Sequence, residues 1–229
     1  MVYKRLKMVS WNIWDALIML ASMVLLQEIA RFFISQTPIA WTPAFRLLWE
    51  VGLALLGCFG LHMVFKRYYF GSLLQVSFNA EKPGWYVQIG LMAGGVLFLI
   101  LSLGYPFLLQ RIGVAAPAVA YLFEIEAATG LWDRLFLVIG WVIFFPLLSE
   151  LVFRGYLYQA MESQRGNSQA ILLVSLLFSL YFMNLYLVLP WFVAGIVLIL
   201  VFEMTSSLYT SVFTLMVWQG LTLAFYWLF

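Results

Sequence analysis

Glu150 and Arg154 stand inside an otherwise apolar stretch of this 229-residue chain. Four residues apart on a helix, they share a face and can close a salt bridge. Ionisable groups at that depth are costly, usually face the bundle interior and often mark a functional site. Paired with a guanidinium, Glu150 could equally be a staple between helices, since a buried ion pair needs close geometry to offset its desolvation. The pair alone leaves both readings open. Pro146, four residues before Glu150, removes a helical hydrogen bond and predicts a kink beside them. The remaining chemistry is sparse. His62 is the only histidine, and Cys58, one turn before it, is the only cysteine. Metal sites take three or four ligands, and no others accompany this pair. No metal is therefore expected, and His62 reads as a polar residue on a helix packing seam. Glu203 reads as structural, near one end of a span. Asp15 and Glu28 lie toward opposite ends of the first apolar run, where they can reach headgroups or water.

The elements that must position these residues are membrane helices. The chain is 65% hydrophobic and 10% charged, whereas a soluble domain carries about 25% charged residues. A soluble protein this apolar could not cover its surface. Aromatics at 19% fit the same solvent, because Trp and Tyr collect at headgroup level. A spanning helix needs about 20 mostly apolar residues. On that measure about seven spans are expected, in an all-α polytopic transmembrane bundle over residues 1–229. They run near Trp11 to Ile34, Phe45 to Phe65, Trp85 to Leu109, Leu131 to Met161, Gln169 to Val188, Pro190 to Phe202, and Ser207 to the end. The basic, then apolar N-terminus resembles a signal peptide but lacks a small-residue cleavage site, so it reads as a retained first helix. Tyr68 to Phe78 reads as an amphipathic surface segment, and Gln110 to Gly130 as a loop. Gly90 and Gly94 form a small-xxx-small pattern that lets helices approach closely, read here as packing within the bundle.

Charge sets an expected orientation. Lys4, Arg5, Lys7, Lys66, Arg67, Lys82 and Arg165 fall on one side under alternating topology. Arg31, Arg46, Arg111 and Arg134, with the acids Glu124, Glu126 and Asp133, fall on the other. The positive-inside rule then puts the N-terminus in the cytoplasm. The net charge of +2 gives no argument for nucleic acid.

The stretch Pro146 to Leu157, PLLSELVFRGYL, resembles the first motif of the CAAX protease and bacteriocin-processing family. These are intramembrane glutamic endopeptidases, also called the Abi family, whose motif is EExxxR followed by Gly, an aromatic residue and Leu. Phe178 to Phe182 falls where that family has FxxxH. Gly195 and Glu203 to Tyr209 resemble its approach to the last helix, and Leu215 to Gln219 falls where it has HxxxN. The resemblance covers 141–219 and implies a core of that fold. It also implies which groups an active member would need: a first Glu that activates water, two His and an Asn. This chain has Ser149, Phe182, Leu215 and Gln219 there. Of the motif only Glu150 and Arg154 remain, and Gln219 keeps an amide.

A serine hydroxyl is no base near neutral pH, and it becomes a nucleophile only with a base positioned beside it. Phe182 and Leu215 offer no polar atom. Losing a single oxyanion donor costs about 100-fold to 1000-fold, so losing base and imidazoles together should end the family reaction. The expectation is thus a proteolytically inactive member, a scaffold or regulator in which Glu150 and Arg154 form a structural ion pair and no residue is catalytic. Its partner would be another integral membrane protein or a subunit of a membrane complex, or lipid, with a homo-oligomer left open and no cofactor implied. The alternative is an active endopeptidase with an altered site, using Glu150, Arg154 and Gln219. A transporter sharing the motif by chance ranks last, because paired halves with discontinuous helices are missing. The setting expected is a bacterial plasma membrane or an organellar one.

Overall fold

The computed structural model describes residues 11–37, 41–68, 83–113, 130–182 and 185–228. Seven helices, and no strand, are found among them. Helix α1 is Ile13–Gln36 and α2 is Pro43–Tyr68; α3 is Pro83 to Arg111 and α4 is Leu131–Arg165. Helix α5 is Asn167–Leu180, α6 is Leu185–Thr205 and α7 is Leu208–Leu228. The N-terminus of α1 shows why it starts where it does. Asn12 accepts from the Trp14 and Asp15 amides, and Asp15 accepts from the Asn12 amide at 2.9 Å. This reciprocal capping box satisfies amides that have no helical partner.

Six of the helices are long and apolar enough to cross a membrane, so the chain is an integral membrane protein with a polytopic helical bundle. The fifth expected span differs. At 14 residues, α5 rises about 21 Å, against about 30 Å of hydrocarbon. The expected boundary at Val188 and Pro190 is also displaced, because α6 starts at Leu185 and carries Pro190 inside it. A proline there frees the carbonyl four residues back, that of Tyr186. Tyr105 of α3 donates its hydroxyl to that carbonyl at 2.7 Å, so the third helix supplies the bond that the sixth cannot make. Two other prolines follow widened turns. In α3 and α4, π-helical stretches Phe98–Gly104 and Val138–Phe144 end just before Pro106 and Pro146. A wider turn opens the helix where the ring would press on the carbonyl behind it. The expected amphipathic segment and most of the loop before α4 lie outside the described residues.

Small residues set how the helices meet. A Cβ on Gly140 would come within 3.1 Å of the Leu48 backbone, and one on Gly52 within 3.7 Å of Phe144. With Phe45 against Phe136 at 5.4 Å, these contacts make α2 and α4 parallel neighbours. Cβ atoms on Gly90 and Gly94 would lie 2.7 Å from Phe213 and Val217. The Gly90–Gly94 pattern therefore packs α3 on α7, within the bundle. Helices α4 and α7 run antiparallel, with Gly220 against Val142 and Leu208 against Gly155. They are the centre of the bundle: 56% of the apolar window of each is buried, against 22% in α1, α2 and α3. The outer helices spend their remaining apolar surface on lipid, as Leu56, Met92 and Ile100 do.

Candidate functional site

Glu150 and Arg154 lie where α4 passes among α5, α6 and α7, and both are fully buried. Arg154 Nη1 stands 2.9 Å from Glu150 Oε1. Its Nη2 donates to the Gly195 carbonyl of α6 at 3.1 Å, and its guanidinium lies over the Phe178 ring of α5 at 4.4 Å. One side chain of α4 is thus held by α5 and α6 at once. Gly195 makes this possible: a Cβ there would sit 3.0 Å from Ser175 Cα and Cβ, so the two helices touch backbone to backbone. The segment that carries Arg154 is itself π-helical, Leu151–Tyr158, a distortion that is common at functional sites. Ser211 of α7 borders the Glu150 carboxylate and gives its hydroxyl proton to the Leu208 carbonyl at 3.1 Å.

Ser149, Phe182, Leu215 and Gln219, which the resemblance sets at four functional positions, all lie among packed helices. Ser149 is buried, and its hydroxyl turns back to the Pro146 carbonyl of its own helix at 3.4 Å. Phe182 lies face to face on Trp191, with centroids 3.8 Å apart. It is the middle of an aromatic group that includes Phe145 at 5.7 Å, Phe178 at 5.8 Å and Tyr181 at 5.2 Å. Trp218 of α7 closes the group against Trp191 at 4.9 Å. Leu215 is fully buried on α7, and by the α4–α7 register it stands near the level of Leu147. Gln219 is also buried, and neither of its amide atoms has a hydrogen-bond partner among the described residues.

The other singled-out residues are spread elsewhere. His62 is buried between α2 and α4, with Nδ1 3.0 Å from the Tyr156 hydroxyl. The Trp11 indole donates to the Tyr156 carbonyl at 3.2 Å, which ties the start of the first helix to the π segment. No group of three or more His, Cys, Asp or Glu that could hold a metal gathers among the described residues. Glu203 accepts from the Tyr158 hydroxyl and the Asn167 amide, joining α4, α5 and α6 at one end. Glu28 and Glu50 both pair with Arg31, at 2.6 and 2.9 Å. The roles of Phe178, Ser175 and Tyr158 are not visible in local sequence, because each depends on a partner at least 20 residues away.

Residues 130–221 match the family of the type II CAAX prenyl endopeptidases, Rce1-like. The match takes in α4 through most of α7, the 92 of 229 residues that build the Glu150 and Arg154 junction. No curated protein matches the chain, and no solved structure does.

Proposed function

We propose that this chain keeps the core of a CAAX-type intramembrane endopeptidase but no longer cleaves peptides, and instead acts as a scaffold or regulator that binds another integral membrane protein. The observation that carries this reading is the Phe182–Trp191 stack at 3.8 Å. Peptide hydrolysis needs a base for water and donors for the developing oxyanion. At the corresponding positions the bundle holds aromatic and aliphatic packing, and the Ser149 hydroxyl is turned to its own backbone. Glu150 is engaged with Arg154, which suits a staple better than a base. The distribution of Lys and Arg supports a cytoplasmic N-terminus, in a bacterial plasma membrane or an organellar one.

The test is purification of the tagged chain from its own membranes in gentle detergent, with stoichiometry by mass spectrometry. A membrane protein recovered near one to one supports the reading and names the pathway. Membrane proteins that accumulate uncut when Glu150 is replaced, with no stable partner recovered, would overturn it. That second outcome belongs to the altered-site endopeptidase. The unpartnered amide of Gln219 favours it, since a free amide could meet a substrate carbonyl.

A further inference from the structure

Ionisable side chains within a membrane are costly and almost always face the bundle interior. One group in this chain faces outward. Between α1 and α2, Arg31 Nη1 stands 2.6 Å from Glu28 Oε1, and Arg31 Nε donates to Glu50 Oε2 at 2.9 Å. The Glu50 side chain is 13% exposed, but those of Glu28 and Arg31 are 58% and 56% exposed. One guanidinium serves two carboxylates, which leaves one negative charge in excess. Arg46, a turn nearer the start of α2, is exposed and enters none of the ion pairs among the described residues. The residues outside the described ranges that join helices at this end, 38–40, 114–129 and 183–184, include no Lys, Arg or His. A balancing cation has to come from another molecule.

Depth and spacing select the form of that cation. Glu28 lies eight residues before the end of α1 at Gln36, a rise of about 12 Å. The 24 residues of α1 rise about 36 Å against about 30 Å of hydrocarbon, so a centred helix holds Glu28 about 9 Å below the interface. Ile18, Ala21, Leu25, Glu28 and Phe32 recur at alternating intervals of three and four, and all are exposed. That is the spacing of a seam between two packed helices, and among the described residues no helix covers it. We propose that this face of α1 docks a transmembrane helix of a partner protein that carries one Lys or Arg at the depth of Glu28. A second copy pairing through the same face would set Glu28 against Glu28, which adds the charge already in excess. The docking site deepens the scaffold reading, on which it rests, by placing the partner against α1.

The test uses full-length protein in phosphatidylcholine vesicles, labelled with a fluorescence donor. The probes are acceptor-labelled Leu/Ala helices as long as α1, with either Lys or Leu at the position of Glu28. Energy transfer should show the Lys helix binding about tenfold tighter than the Leu helix, the scale of an interhelical polar contact in a membrane. Glu28→Gln should remove that preference. Equal binding of the two helices by the wild type would overturn the proposal, and this comparison needs no folded variant. A preference that survives in Glu28→Gln would also overturn it. So would loss of the preference when phosphatidylethanolamine is added, because the excess charge would then belong to a lipid ammonium. In the purification from native membranes, a partner retained equally by Glu28→Gln overturns this docking site and keeps the scaffold. A Lys-helix preference with no native partner recovered does the reverse.

Discussion

Removing one member of the Glu150–Arg154 pair should be far worse than removing both. Both side chains are fully buried, so Glu150→Leu strands a guanidinium and Arg154→Met strands a carboxylate. Breaking a buried pair this way costs roughly 3–5 kcal/mol. Glu150→Leu is cushioned, because Arg154 keeps the Gly195 carbonyl at 3.1 Å and the Phe178 ring at 4.4 Å. Arg154→Met loses both contacts as well, and a hydrogen bond to a charged group contributes about 1.5–3 kcal/mol. It should be the weaker single variant. In the double variant no charge is stranded, and the Gly195 carbonyl, inside α6, keeps its helical amide and loses only its second donor, about 1 kcal/mol. The double should therefore be more stable than Arg154→Met, with a coupling of at least about 3 kcal/mol between the sites. Unfolding in mixed micelles by SDS titration, followed by circular dichroism, reads all four proteins. Single variants within about 1 kcal/mol of wild type, or a double that equals the sum of the singles, would refute the staple argument.

Three further outcomes follow from the packing. Gly195→Ala puts a Cβ 3.0 Å from the Ser175 backbone and should cost about 1–3 kcal/mol in the same titration; Ser175→Gly in that background should recover part of it. Gly94→Ala meets the Thr214 carbonyl at 2.8 Å as well as Val217, so α3 and α7 must separate and the midpoint should fall. Gly95→Ala, with nothing within 4 Å, should instead be neutral or gain up to about 1 kcal/mol from helix propensity. Tyr105→Phe removes the hydroxyl that donates to the Tyr186 carbonyl and should lower stability by about 1 kcal/mol in the same titration.

Composition and local pattern were enough to reveal the membrane solvent, the positions of most spans and the shared face of Glu150 and Arg154. These properties depend on residues within one helix: hydropathy sums over a window, and a spacing of four fixes a common face whatever surrounds it. Features set by contacts between distant residues lie beyond such local patterns. Hydropathy alone made Gln169 to Val188 one span, because nothing in the composition of that run signals the break after Leu180 that shortens α5. Pro190 read as a helix opening, because the hydroxyl that lets it sit inside α6 comes from Tyr105, 81 residues away in sequence. The Gly90–Gly94 pattern announced close packing, but only the bundle decided that the partner is α7.

The candidate site divides in the same way. Sequence gave the ion pair and the identities at Ser149, Phe182, Leu215 and Gln219. Tertiary structure decided that Arg154 is also held by the Gly195 carbonyl and the Phe178 ring, and that Phe182 is packed on Trp191. Those contacts join α4, α5 and α6, and their geometry is set by how closely backbones can approach at glycines. That distance is a property of pairs of helices, so no single stretch of sequence carries it.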